Sequence, residues 1–216
     1  MAASEAPKSS GPPGARRVPW GSISRRQVVD AATRVVRAGG YEEMSIRSLA
    51  AELGVAPMSL YRHVRDKDDL LDEVVDRLLA RAWRPPSQED WREWVAEAAE
   101  KFRRFLVTQP AALHVYLQHP VVSRSAVARM NAMMSVLRDA TGGEEGARRA
   151  YAAIQTYTIG FAALEASRSG WVPIDEASDG LANLLAAHTT PRQFAEGLRY
   201  LLEGIERQAR EGEDRS

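Results

Sequence analysis

The sequence predicts an all-α fold, and three features of the 216-residue chain support that prediction. Apolar residues recur at spacings of three and four along most of the chain, as on the buried face of an amphipathic helix. Glycine and proline residues fall between these periodic stretches, where helices end and begin. No stretch shows the alternation of apolar and polar residues that is typical of a half-buried strand.

The first helix is predicted to begin at Ser24, because Ser24 and Gln27 have the spacing of a capping box. Its buried stripe consists of Val28, Val29, Ala32, Val35 and Val36. Gly39 and Gly40 are expected to end it. The residues before it, 1–21, are rich in proline, glycine and serine and are predicted to form a flexible tail.

Two short helices follow, joined by a tight turn. Ser45 is predicted to cap the first, and Gly54 supplies the left-handed residue that stops it. Pro57 suits the first position of the next helix, in which Leu60 and Val64 face inward. The outward side carries no carboxylate and consists of Met58, Ser59, Tyr61, Arg62 and His63. Such a surface suits phosphates and base edges, so the pair is predicted to be a helix-turn-helix whose second helix enters the major groove of DNA.

The distribution of charge agrees with this prediction. The whole chain has a net charge of zero, but 10 basic and 5 acidic residues lie between Arg16 and Lys67. Basic charge is thus concentrated around the predicted DNA-reading surface. Arg16 and Arg17 are either an arm that reaches the DNA or part of a solvated leader.

The remaining chain is predicted to be helical. A fourth helix opens near Lys67, carries an apolar band from Leu70 to Leu79 and ends before Pro85 and Pro86. Further helices are expected over residues 89–108, 110–120, 121–140 and 144–168. Residues 169–190 are predicted to be a loop with room for one helix, and the last helix starts at Pro191 and frays after Arg210. The domains are therefore expected to span residues 22–69 and 70–211, with the fourth helix connecting them.

Composition narrows the functional classes. The chain has no cysteine, which excludes disulfides, thiolate metal sites and a cysteine nucleophile. There is no apolar run long enough to span a bilayer and no signal-peptide pattern, so we expect a cytoplasmic protein without a membrane partner. Walker, nucleophile-elbow and H-E-x-x-H motifs are missing, and we therefore do not expect an enzyme, for example a helical hydrolase. No cofactor is expected, and His114 and His119 lack the spacing of a metal site.

Residues 24–71 resemble the N-terminal domain of the TetR (tetracycline-repressor) family of ligand-responsive transcription regulators. The motifs that carry this resemblance are SIRSLA at 45–50, LGV at 53–55 and SLYRHV at 59–64, followed by Lys67. A weaker resemblance to the C-terminal half of the family rests on the long helix over 151–166 and on the pattern over 194–205. The alternative is a helical hairpin that only packs on its neighbours.

The resemblance implies a dimeric repressor that binds a palindromic double-stranded DNA operator and is released by a small molecule. It places DNA contacts at Ser45, Arg47, Pro57, Met58, Ser59, Tyr61, Arg62, His63 and Lys67. Pro57 and Met58 depart from the residues of the family's founding member, so the operator is expected to differ. The alternative function is an architectural DNA-binding protein without an effector.

The family's effector pocket and dimer bundle imply two further sets of residues. The effector, expected to be apolar or amphipathic, would contact Leu113, Tyr116, Met130, Met133, Met134, Gln155, Tyr157, Thr158 and Phe161, unless these side chains are plain core. The homodimer would form through Ile154, Phe161, Phe194, Leu198, Leu201, Leu202 and Ile205, unless these side chains only fill the core of a monomer.

Overall fold

The computed structural model describes residues 23–168 and 188–213. Within those ranges it contains nine helices and no strand, which confirms the predicted all-α class. The helices are α1 (Arg25–Gly39), α2 (Ile46–Leu53), α3 (Pro57–Leu60), α4 (Lys67–Ala82), α5 (Trp91–Thr108), α6 (Pro110–Gln118), α7 (Arg124–Thr141), α8 (Glu144–Arg168) and α9 (Pro191–Glu213). The predicted N-terminal tail and most of the predicted loop before Thr190 lie outside the described residues.

The chain divides into two compact units at the first residue of α4. The first unit ends at Lys67 and the second begins at Asp68. Helices α1 to α3 belong to the first unit, and nearly all of α4 belongs to the second together with α5 to α9. None of the described helices combines the length and the apolar character that a membrane span requires.

Local sequence signals explain the three helices of the first unit. The hydroxyl of Ser24 accepts a hydrogen bond from the backbone N–H of Gln27, and the Gln27 side chain accepts one from the N–H of Ser24, which completes the predicted capping box. Val35, which was predicted to be buried, is only partly covered. Thr33 is buried instead, because its hydroxyl donates to the carbonyl of Val29 at 2.6 Å and needs no water.

The turn between α2 and α3 has the glycine stop and the proline start that the sequence predicted. Gly54 has φ +67°, a left-handed conformation that favours glycine, and its N–H donates to the last turn of α2. Pro57 occupies the first position of α3. Leu60 and Val64 are buried, as predicted. These two side chains attach a helix of only four residues to the rest of the unit.

Helix α8 lies at the centre of the second unit, where it packs against α5, α6, α7 and α9. Its alanine-rich sequence lets these neighbours approach closely on more than one side. The main core brings together side chains of α5, α7, α8 and α9, including Val95, Ala98, Met133, Leu137, Ile154, Phe161, Phe194 and Leu198. Helix α9 continues to Glu213, beyond the predicted point of fraying, and the ion pair between Arg210 and Glu206 at 2.6 Å supports its last turns.

Most of the side chains that were predicted to form the dimer lie in this core instead. Ile154, Phe161, Phe194, Leu198 and Leu202 are buried within their own subunit. Burial within the subunit leaves these five side chains little surface for a partner, and their assignment to a dimer interface stays a prediction. Leu201 and Ile205 remain partly exposed. Periodicity correctly indicated the buried side of each helix, but it did not distinguish the subunit's own core from an interface.

One positive charge is buried and neutralised in the second unit. Arg103 on α5 is 3% exposed, and its guanidinium donates to Glu100 at 2.7 and 2.8 Å and also to Glu165 on α8. The guanidinium also lies over the ring of Phe194 at 5.3 Å. Hydrogen bonding to the two carboxylates raises the pKa of Arg103 above its usual range. The group therefore ties α5, α8 and α9 together.

Replacing Arg103 with methionine removes this link and leaves both carboxylates without their partner. We expect the Arg103→Met variant to lose about 2 kcal/mol of unfolding free energy, because charged hydrogen bonds are lost while Glu100 and Glu165 stay partly hydrated. Arg104→Met is the matched control, since the Arg104 side chain is 64% exposed and its ion pair with Glu100 contributes less than about 1 kcal/mol. Urea denaturation followed by circular dichroism measures both, and equal losses would contradict the assignment.

Candidate functional site

The outward face of α3 and of the turn after it is exposed and carries no carboxylate. Met58 is 73% exposed and Tyr61 is 51% exposed, whereas Leu60 between them is fully buried. Among the other predicted contacts of this segment, Pro57 and Arg62 are exposed, and Ser59 and His63 are half-buried. The structure therefore brings the predicted residues of α3 onto one accessible surface, which we call the α3 face (residues 57–63).

Two further cations that were predicted to contact DNA lie at helix starts in the first unit. Arg47 is exposed at the second position of α2, and Lys67 is half-buried at the first position of α4. Neither side chain makes a hydrogen bond or an ion pair with any residue in the described part of the chain. Both charges remain available for an anionic partner such as a phosphate.

Ser45 has a structural task in the same unit. Its hydroxyl accepts a hydrogen bond from the N–H of Ser48 at 3.0 Å, and its own N–H donates to the Ser48 hydroxyl at 2.9 Å. Ser48 also donates to the carbonyl of Glu43 at 3.1 Å. The sequence analysis anticipated Ser45 as the cap but missed Ser48 as its partner, because that position of a capping box is usually Glu or Gln.

Side-chain contacts hold the three helices of this unit in place. The guanidinium of Arg25 on α1 donates to the backbone carbonyl of His63, just after α3. Arg34 on α1 pairs with Glu52 on α2 at 2.8 Å. The α3 face is thus attached to α1 from behind by a hydrogen bond as well as by its buried side chains.

The second unit contains an open-sided cavity of about 630 Å³, lined by α6, α7 and α8 together with the segment between α6 and α7. Three of the nine predicted effector contacts line this cavity: Tyr116, Met130 and Gln155. Its other walls are mainly apolar and include Leu117, Val121, Val122, Ala126, Val127 and Ile159. A volume of this size is typical of a site for a drug-sized molecule.

The other six predicted effector contacts do not line the cavity. Leu113, Met133, Met134, Thr158 and Phe161 are buried in the protein interior. Tyr157 faces α9 instead, where its hydroxyl donates to the carbonyl of Phe194 at 3.0 Å and its ring stacks on that of Phe194. The burial of these residues favours the plain-core alternative, because close packing leaves little room for a ligand beside them.

Arg129 is the most unusual residue in the cavity wall, and the sequence analysis missed it. It is buried on α7 although it is charged. The signal was present in the sequence: Ala126, Arg129, Met133 and Leu137 follow helical spacing, so an arginine occupies the apolar face. An expectation of a mainly apolar lining does not include such a charged residue.

A groove of about 290 Å³ runs along the surface between α8 and α9. Its walls include Ala153 on α8 and Tyr200, Leu201, Gly204 and Ile205 on α9. Tyr200 is 60% exposed despite its size. A Cβ atom added at Gly204, or at Gly160 on α8, would meet nothing within 4 Å, so packing inside the subunit does not require either glycine.

In residues 23–168 and 188–213, no three His, Asp or Glu side chains group closely enough to hold a metal ion. The sequence analysis expected no metal site at His114 and His119. His119 has Asp72 beside it, with Nε2 at 3.4 Å from Oδ1.

Two family models match the chain, one over each half. The family described as bacterial regulatory proteins, tetR family, matches residues 28–74. The family described as the tetracyclin repressor-like C-terminal domain matches residues 84–209.

Individual relatives resemble the chain over most of its length. An HTH-type transcriptional regulator of Saccharopolyspora erythraea is 31% identical over 172 residues, which are 79% of this chain and 71% of that protein. The class C tetracycline repressor protein of Escherichia coli is 28% identical over 84% of this chain and 83% of its own length.

Solved structures share the fold. Apo ActR from Streptomyces coelicolor superposes with a TM-score of 0.72 at 25% identity, covering 88% of this chain and 98% of ActR. ActR in complex with actinorhodin superposes with a TM-score of 0.70 at 24% identity, covering 87% of this chain and 98% of ActR.

The cap at Ser45 can be tested separately from any contact it makes with a partner. We expect Ser45→Ala to lower the unfolding free energy by about 1 kcal/mol, because the helix start loses its acceptor. Ser45→Asp should retain wild-type stability, since a carboxylate caps equally well and is favoured at a helix N-terminus. Thermal denaturation measures both variants. Equal destabilisation by Ala and Asp would show that the hydroxyl does not act as a cap.

Proposed function

The chain belongs to the TetR family of bacterial regulatory proteins, and on that premise we propose that it is a dimeric repressor that a small molecule releases from a palindromic operator. The first unit reads DNA, and the second unit binds the effector and the other subunit. As a regulator of bacterial DNA, the protein acts in the cytoplasm. The observation that carries the proposal is the α3 face, an exposed surface without a carboxylate whose opposite side is buried.

The chemistry of the α3 face suits the major groove. Tyr61 and Ser59 offer hydroxyl groups, Met58 offers an apolar contact for a thymine methyl group, and Arg62 and His63 add donors. Arg47 can donate two hydrogen bonds to one guanine, whereas Lys67 acts as a point charge for a phosphate. Base contacts would then give the sequence preference, and phosphate contacts would position the helix.

A single short helix reads only a few base pairs, so operator specificity requires two copies. The groove between α8 and α9 supports a dimer interface at this place, because its apolar wall includes the exposed Tyr200 and the partly exposed Leu201 and Ile205. Gly160 and Gly204 favour close approach by a partner helix, since neither serves packing within the subunit. Leu201 and Ile205 were already among the residues that the sequence analysis assigned to the dimer, and Tyr200, Gly160 and Gly204 are added to them here.

The cavity provides the regulatory site. A ligand shifts an equilibrium only if it binds one conformation better than another, and the resulting coupling to DNA is reciprocal. Three adjacent residues of α8 lie in different environments: Ala153 lines the groove, Ile154 lies in the core and Gln155 lines the cavity. A movement of α8 on ligand binding would therefore change the dimer interface as well, and with it the spacing of the two α3 faces.

Two substitutions separate base reading from phosphate binding. Arg47→Ala should change which bases are preferred, with a loss of about 1–3 kcal/mol of discrimination at one position of each half-site. Lys67→Ala should weaken binding to all duplexes alike and reduce the slope of log K against log salt by about 1 for each subunit. Fluorescence anisotropy with labelled duplexes at several salt concentrations measures both effects.

Arg192→Ala provides the control for this experiment, because it removes an arginine of α9 whose side chain is 89% exposed. It should leave both the base preference and the salt slope unchanged. If Arg47→Ala and Lys67→Ala also bind like the wild type, neither cation contacts DNA, which contradicts the proposed DNA-binding surface.

The dimer interface can be tested at Gly204. Gly204→Leu should fold, because the added side chain meets open space in the subunit, but it should shift the protein towards monomers by filling the approach path of the partner. Ala195→Leu is the control, since Ala195 is exposed on the same helix and does not line the α8–α9 groove. Sedimentation velocity measures the proportions of monomer and dimer in each variant. An unchanged dimer in Gly204→Leu would place the interface elsewhere.

A further inference from the structure

Arg129 is buried without a negatively charged partner among the described residues. Its side chain is on α7, and the residue is 3% exposed. One guanidinium nitrogen donates to Oε1 of Gln155 at 2.9 Å and lies 3.5 Å from the hydroxyl of Tyr151. The guanidinium carbon is 3.9 Å from the centre of the Phe102 ring. Nε has no hydrogen-bond partner.

The comparison with Arg103 shows how unusual this arrangement is. Both arginines are 3% exposed, both are in the second unit and both contact a phenylalanine ring. Arg103 forms ion pairs with two carboxylates, whereas the polar neighbours of Arg129 are an amide and a phenol. A buried charge without a counter-charge lowers the stability of a protein, and an anion bound in the cavity would supply that counter-charge.

A second polar group in the same cavity has unused hydrogen-bonding capacity. The hydroxyl oxygen of Tyr116 on α6 is buried near the Arg129 guanidinium, and no hydrogen bond of good geometry satisfies it within the described residues. Burial raises the pKa of Tyr116, and the nearby charge of Arg129 opposes only part of that rise. The phenol therefore keeps its proton at neutral pH and can donate it to an acceptor in the cavity.

Asp76 is the carboxylate whose charge acts on Tyr116, but it does not neutralise Arg129. Its Oδ1 accepts a hydrogen bond from the backbone N–H of Ser125 at 2.8 Å. This carboxylate instead holds the start of α7, and no ion pair joins it to the Arg129 guanidinium.

We infer that the cavity binds a small organic anion with an apolar body, whose charged oxygen atoms accept hydrogen bonds from Arg129 and Tyr116. The inference rests on the proposed effector site and narrows the class of effector. The unused Nε of Arg129 and the hydroxyl of Tyr116 form the polar end of the site. Met130, Val121 and Ile159 provide apolar wall for the body of the ligand. A neutral apolar molecule would leave both donors unpaired, which is unfavourable.

Two fluorescent probes with the same carbon framework test this inference. The anion 8-anilinonaphthalene-1-sulfonate and the neutral N-phenyl-1-naphthylamine are titrated separately into the full chain, and their dissociation constants are compared. We expect Arg129→Met to weaken binding of the sulfonate at least about tenfold, because a charged hydrogen-bonding partner is lost. Binding of the neutral probe should change less than about threefold, because the methionine preserves the apolar volume.

Three further variants control the experiment. Arg124→Met removes an exposed arginine from the same helix and should leave both dissociation constants unchanged. Tyr116→Phe should weaken the sulfonate about threefold or more and spare the neutral probe, since it removes one hydrogen bond. Arg129→Lys should bind the sulfonate with intermediate affinity, because the charge remains but the planar fork is lost. Circular dichroism verifies that each variant folds. If Arg129→Met does not fold, the loss of sulfonate affinity in Tyr116→Phe tests the anion site instead.

The inference is overturned if the wild type does not bind the sulfonate, if Arg129→Met binds it as tightly as the wild type, or if both probes lose affinity equally. The last result would mean that Arg129 only shapes the cavity. DNA binding is measured separately on the same proteins and should persist in Arg129→Met. A wild type that binds the sulfonate through Arg129 but has no affinity for DNA would refute the proposed repressor and leave the anion site in place.

Discussion

A helix of four residues is too short to be stable alone, so α3 depends on the burial of Leu60 beneath it. Val64 adds a second buried contact just beyond the helix, and Arg25 holds the backbone carbonyl of His63 from α1. With one side of α3 held in this way, its other side can face a partner in a fixed orientation. The DNA-reading function that we propose for the first unit depends on this attachment.

The sequence predicted this unit well because its signals are local. A cap at Ser45, a left-handed stop at Gly54 and a proline start at Pro57 act over a few residues, and each has its expected conformation. The second unit was harder to predict, because periodicity indicates that Phe194 is buried but does not identify what covers it. For the same reason periodicity did not separate Tyr116, Met130 and Gln155, which line the cavity, from the expected effector contacts that lie in the core. Arg129 was missed because the lining of an effector pocket was expected to be mainly apolar.

The two buried arginines of the second unit show how similar burial can serve different purposes. Arg103 is neutralised by Glu100 and Glu165, so its charge contributes to the packing of α5 on α8. Arg129 faces a cavity and lacks such a carboxylate among the described residues. Helix α8 contributes three consecutive residues to different places: Ala153 to the groove, Ile154 to the core and Gln155 to the cavity. An anion that binds beside Gln155 would therefore act on the same helix that forms the proposed dimer interface.

The central claim is that two α3 faces, held by one dimer, read two copies of a DNA sequence. The most direct test is to select bound duplexes from a random DNA pool with the purified chain and to sequence them. The account predicts enrichment of an inverted repeat whose half-sites lie about one helical turn or more apart. A pool that shows no enriched sequence, or only an unrepeated one, would contradict it.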